Sequence, residues 1–178
     1  MTEAYLGLGT NLGDREAYLA RALDLLAETE GVQIGKISRV YRSAPWGITD
    51  QPEFLNICVQ ISTWLNPEEL LRACKQVEML IGRTRTERWG PREIDVDVLL
   101  IDGVDFDTPN LTIPHRRLVE RRFVLEPLSE IAPDWVIDGM AVTDLARYLR
   151  ADVPDQMCEP DEKATQRVSQ LRGSAVVE

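Results

Sequence analysis

Residues 54–62 read Phe-Leu-Asn-Ile-Cys-Val-Gln-Ile-Ser, and their alternation decides the fold. Leu55, Ile57, Val59 and Ile61 fall on one face and Phe54, Asn56, Cys58 and Gln60 on the other, the period of two that marks a strand with a buried apolar side. Downstream, Asn66, Pro67 and Glu69 supply a cap, a first-turn proline and a third-position carboxylate. Leu70, Cys74, Val77 and Ile81 then continue a helical stripe as far as Gly82. Residues 83–93 carry no periodicity and read as a loop, after which 94–101 (IDVDVLLI) return to a strand with Asp95 and Asp97 on one face. Upstream, 32–42 (VQIGKISRVYR) is β-branched and aromatic enough for a strand, with a bulge expected at Gly35. Asp14 caps a helix carrying Leu19, Leu23 and Leu26 until Gly31 ends it, and 3–9 (EAYLGLG) form the first strand.

The order is βαββαβ, so the expected fold class is α+β. The core is ferredoxin-like, an antiparallel sheet with helices packed on it. Asp102 and Gly103 predict a C-terminal hairpin turn, and 116–130 and 142–150 predict short helices. At 178 residues the chain is read as one domain, 1–150, followed by a polar tail, 151–178, with few large apolar residues and expected to be loosely packed or disordered.

Apolar residues make up 44% and charged residues 28% of the chain, an ordinary globular composition. The formal net charge of −10 argues against nucleic acid or an anionic membrane as partner. No apolar stretch is long enough to span a bilayer and the start lacks signal-peptide regions, so the expected location is cytoplasmic; the chain is read as a monomer. Three scattered cysteines and one histidine indicate neither a disulfide framework nor a zinc site.

An Asp-x-Asp on a strand places two carboxylates about 7 Å apart on one face, within reach of hard cations. Alone, the pair fits a solvated face better than a metal site. Arg83, Arg85, Arg88 and Arg92 lie just upstream, and forked guanidinium donors beside metal-binding carboxylates make a polyphosphate site. No Gly-x-x-x-x-Gly-Lys-Ser/Thr is present, so side chains and Mg²⁺ must hold any nucleotide, not a glycine cradle.

Arg88-Trp89-Gly90-Pro91-Arg92 before Asp95-Val96-Asp97, with Gly9-Thr10-Asn11-Leu12-Gly13 near the start and Pro114-His115 downstream, closely resembles the 6-hydroxymethyl-7,8-dihydropterin pyrophosphokinases of folate biosynthesis over roughly residues 3–150. The resemblance implies transfer of the β,γ-diphosphate of ATP to the pterin hydroxymethyl group, with release of AMP and two Mg²⁺ ions on Asp95 and Asp97. It places Arg83, Arg85 and Arg92 on the phosphates or in closing the site, and Arg83 and Arg92 are counted catalytic with the two aspartates. Around ATP it places Glu78, Arg85, Trp89, Val98, Thr112, His115 and Arg121. Around the pterin it places Ser43, Ala44, Pro45, Trp46, Phe54, Asn56 and Phe123.

Phe54 and Asn56 share a strand face without help from the resemblance, and a flat heterocycle needs both stacking and a donor–acceptor amide. Phe54 and Phe123 fit an ordinary core as well, and His115 a structural role. Lys75, Asn110 and Arg116 depart from the family pattern near the adenosine. An RNA-recognition module shares the βαββαβ order, but the central strands lack an exposed aromatic cluster. A homologue without turnover is the other alternative, and intact Asp95, Asp97 and Arg92 argue against it.

Overall fold

The computed structural model describes residues 1–84 and 90–173. The elements in chain order are β1 (Thr2–Thr10), α1 (Arg15–Glu28), β2 (Val32–Ile37), β3 (Tyr41–Ser43), β4 (Phe54–Thr63), α2 (Pro67–Ile81), β5 (Asp95–Ile101), β6 (Phe106–Asp107), β7 (Thr112–Ile113), a 3₁₀ turn (Leu118–Glu120), α3 (Arg122–Ile131), β8 (Val136–Ile137), β9 (Met140–Ala141), α4 (Val142–Asp152), β10 (Cys158–Pro160) and α5 (Glu162–Leu171). The main sheet runs β10-β3-β4-β1-β5, with β2 also on β4, and every pairing is antiparallel. This is the expected ferredoxin-like α+β core, extended by one strand.

The strand expected over 32–42 is two strands on one partner. β2 pairs with the far half of β4 and β3 with its near half, and the register slips between Ile34 and Ile37. Ser38 makes the join: its N–H donates to the Cys58 carbonyl, while its hydroxyl accepts the Cys58 N–H (2.9 Å) in place of a backbone oxygen. The slip falls across Gly35 and Lys36, so the bulge forms at Gly35 as expected.

Leu55, Ile57, Val59 and Ile61 of β4 meet Ala4, Leu6 and Leu8 of β1, Leu19, Leu23 and Leu26 of α1, and Leu70, Cys74 and Val77 of α2 in the larger core. Asn66 caps α2 through a full capping box, and Gly82 closes the helix with φ +93°. On the opposite face of the sheet, Tyr5, Cys58, Leu99 and Leu100 pack under α3 and α4. β5 reaches both cores because a bulge falls where Tyr5 faces Leu100 and Leu6 faces Val98, leaving Leu99 unopposed. Residues Asp95 and Asp97 precede that bulge and lie where α3 does not cover the sheet.

The tail differs from expectation. β10 pairs residue for residue with β3. α5 buries Ala164 and Val168 in the larger core, and Leu171 packs against it. Few apolar residues suffice because 164, 168 and 171 fall on one helical face. Polar groups do the rest: the Thr165 hydroxyl accepts the Val40 N–H (2.9 Å), and Arg167 pairs with Asp14 (2.8 Å) and Glu16 (3.2 Å) at the start of α1. The Asp102–Gly103 turn forms, yet the strand after it pairs with β7 and not back onto β5. Among the described residues no helix is long and apolar enough to cross a membrane.

Candidate active site

The uncovered part of the sheet is the floor of a cavity. Gly7 and Gly9 of β1, Phe54 and Asn56 of β4, and Asp95, Asp97 and Leu99 of β5 form that floor. Ser43, Ala44 and Trp46 form one wall, with His115, Arg121 and Phe123 opposite. Both glycines keep the floor open. A Cβ on Gly7 would stand 3.3 Å from Leu99, and one on Gly9 would stand 3.1 Å from the Asn56 Oδ1, filling the space over the amide. Asn56 is buried and donates from Nδ2 to the Ser43 hydroxyl (2.8 Å), which fixes its amide plane. Six of the seven residues expected around the pterin therefore line one cavity; Pro45 belongs to the same loop but not to the wall.

A second groove lies on the far side of Asp97, lined by Leu71, Lys75, Val98, Thr112, His115 and Arg116 among others. Val98, Thr112 and His115, all expected around ATP, meet there. Asp97 and His115 line both spaces, so the two adjoin at these side chains.

Asp95 is held by Arg83 Nη1 (2.7 Å) and Arg92 Nη1 (3.0 Å). Burial alone would raise its pKa, but Arg92, Arg83 and Lys75 together hold it below the ordinary carboxylate range. Among the described residues Asp97 pairs with Arg121 Nη1 at 3.8 Å, and burial followed by the nearby Asp95 charge pushes its pKa up. Arg121 itself lies over the rings of Trp46 (5.1 Å) and Phe123 (5.7 Å), and Arg92 over Phe54 (5.9 Å). Burial and the neighbouring Arg121 push His115 down to about 4, so it is a neutral imidazole; its Nδ1 accepts the Arg117 N–H, leaving the ring proton on Nε2.

Glu78 differs from the expected contact with ATP. It is buried beneath the site, where Oε1 accepts the Val96 N–H (2.8 Å) and Lys75 Nζ (2.8 Å) and Oε2 pairs with Arg83 (2.7 Å). It lines neither space and instead locks α2 to β5 while steadying Arg83. Arg85 and Trp89 lie outside the described residues. Asn11 is a residue that its glycine-rich setting hid. Buried at 2% exposure, it donates its N–H to the Arg92 carbonyl (3.1 Å), accepts the Arg92 N–H on its side-chain Oδ1 (2.9 Å), and donates from Nδ2 to Gln51 (3.0 Å) and the Pro52 carbonyl (3.0 Å), joining the two loops that flank the cavity.

The family model described as 7,8-dihydro-6-hydroxymethylpterin-pyrophosphokinase matches residues 5–133. The chain belongs to that family. Among curated relatives it is 51% identical to the 2-amino-4-hydroxy-6-hydroxymethyldihydropteridine pyrophosphokinase of Methylorubrum extorquens, over 81% of this chain and 91% of the relative. It is 49% identical to the Bacillus subtilis enzyme of the same name, over 72% of this chain and 77% of the relative. A solved Plasmodium falciparum HPPK-DHPS shares the fold, with a TM-score of 0.69 at 16% identity, covering 86% of this chain and 43% of that one. This pyrophosphokinase uses ATP as co-substrate and transfers its pyrophosphoryl group to 6-hydroxymethyl-7,8-dihydropterin, a step of folate biosynthesis.

Proposed function

We propose that the pterin lies in the cavity between Ser43–Trp46 and Arg121–Phe123, that ATP lies in the groove beside Val98 and Thr112, and that the diphosphate passes between them at Asp97. The observation that carries this reading is the shared lining: Asp97 and His115 alone among the residues named above border both spaces.

Asn56, oriented by Ser43, offers its amide to the heterocycle edge, while Phe54 and Phe123 supply faces for stacking. Arg92 and Arg83 hold Asp95 ionised and present guanidinium donors to the bridging phosphates. His115 donates from Nε2 to a phosphate oxygen. Arg121, between Asp97 and the Trp46 ring, accompanies the charge that passes from the nucleotide to the pterin diphosphate. Asp97 borders both spaces, which places its carboxylate to receive the proton of the attacking hydroxyl.

The donor set fits Mg²⁺: two carboxylates on one strand face supply oxygen ligands only, and among the described residues no third acidic, histidine or cysteine side chain completes a closed metal cage. Asp95 and Asp97 would hold two ions, which would neutralise the triphosphate and keep the attacking oxygen in line with the β-phosphorus. We read the enzyme as a cytoplasmic monomer without a nucleic-acid or membrane partner, a reading supported by its net charge of −10.

The test incubates the protein with ATP, Mg²⁺ and 6-hydroxymethyl-7,8-dihydropterin and separates the nucleotide products. AMP with the pterin diphosphate is expected; ADP would mean that a single phosphoryl group moves and would reject the proposed alignment.

A further inference from the structure

The family match ends at residue 133, yet the cavity is tied to a segment beyond it. Residues 156–160 run between its two walls. On one side the Ala44 N–H donates to the Met157 carbonyl (3.1 Å), Cys158 pairs with Ser43, and Arg42 Nη2 donates to Glu159 Oε1 (2.7 Å). On the other side the buried Arg122 donates from Nη1 to the Gln156 carbonyl and from Nε to Glu126 Oε1 (3.1 Å). Arg122 stands between Arg121 and Phe123, so the segment grips the strand that carries Ser43 and the helix start that carries Phe123. None of residues 156–160 lines the cavity.

We propose that residues 156–160 and Arg122 form a clasp that fixes the separation of the two pterin-binding walls, with Arg122 a positioning residue. The proposal rests on the pterin reading of the cavity. A flat ring system gains from two faces only when both are already at stacking distance, and walls held in place spare binding the cost of ordering them. The nucleotide groove is built from α2, β5 and β7 with the residues around them. Among the described residues no hydrogen bond or ion pair joins the clasp to these elements, so its effect is expected on one substrate.

Arg122→Lys in the full chain is the primary test. Lysine keeps a positive charge beside Glu126, which also retains Arg150, but a single nitrogen cannot occupy both the Nε and the Nη1 positions from which Arg122 holds Glu126 and the Gln156 carbonyl, so the two-point hold is lost. Calorimetric titration with the pterin alcohol and, separately, with a non-hydrolysable Mg-ATP analogue is paired with steady-state kinetics. The Kd and KM for pterin are expected to rise about tenfold, the scale of one lost charge-assisted hydrogen bond, while the Kd for nucleotide and kcat stay within about twofold. Unchanged pterin affinity, or equal losses for both ligands, would overturn the clasp.

An unsubstituted enzyme that binds nucleotide but no pterin would overturn the functional reading and the clasp with it. That result is distinct because it precedes any substitution.

Discussion

Asp95 and Asp97 share one face of β5, but among the described residues their partners differ: two guanidinium groups hold Asp95 within 3.0 Å, and Asp97 has one at 3.8 Å. Burial and the Asp95 charge raise the Asp97 pKa above its unfolded value. For a carboxyl shifted upward, the folded state is unpenalised below the unfolded pKa and loses stability as pH rises from about 4 through the folded value of about 7. Asp97→Asn is therefore expected to raise the melting temperature of the ligand-free protein at pH 8 and leave it nearly unchanged at pH 4. Because the side chain is partly exposed, the gain is discounted for screening to about 1 kcal/mol, or roughly 2–4 °C. Turnover of the same variant should fall on the order of 10³-fold, the usual scale for losing one electrostatic contact in the transition state. Thermal unfolding at the two pH values checks the first outcome, and a fall in stability at pH 8 would contradict it. A neighbouring prediction concerns Gly9. Valine there would occupy the space over Asn56, so the KM for pterin should rise about tenfold or more while nucleotide affinity holds.

At the scale of elements, α5 makes a stability prediction. Val168→Asp would place a carboxylate in the larger core and should cost about 3 kcal/mol or more, measured by urea unfolding; a loss below about 0.5 kcal/mol would mean that the helix is not docked. This docking is hidden in the sequence because the tail is polar as a whole, and three small or medium apolar residues on one face leave little trace in composition. β4, α1, α2 and β5 were legible because each carries a full hydrophobic stripe. The break at Ser38 was not, since it depends on a side-chain hydroxyl substituting for a backbone carbonyl across the sheet. Phe54 and Asn56 were legible as a pair because strand alternation alone puts them on one face. Glu78 could be placed on a helix, but its structural role could not be read, because its partners Val96 and Arg83 lie on the next strand and loop and spacing carries no information about them.

Charge decides the last prediction, at the scale of the whole molecule. A chain of net charge −10 must receive a tetraanionic triphosphate beside two carboxylates, one of them already neutralised by Arg83 and Arg92. Without a divalent cation, the triphosphate would compete with Asp95 for those same arginines and face Asp97 directly. In the proposed site, Mg²⁺ would take the carboxylates as ligands and free the guanidinium groups for phosphate oxygens. The proposed pterin cavity has no such requirement, because its stacking faces and the Asn56 amide are neutral. Binding to the folded state raises the melting temperature by mass action, so each ligand can be read separately. ATP with Mg²⁺ is expected to raise it by several degrees, while ATP in excess EDTA should raise it by less than a quarter as much; on the same arithmetic, a hundredfold weaker Kd removes about 2.7 kcal/mol. The pterin alcohol should give the same shift with or without EDTA. An ATP shift indifferent to EDTA would mean that the arginines alone hold the nucleotide, and Asp95 and Asp97 would then have to be assigned to positioning those arginines instead of holding metal.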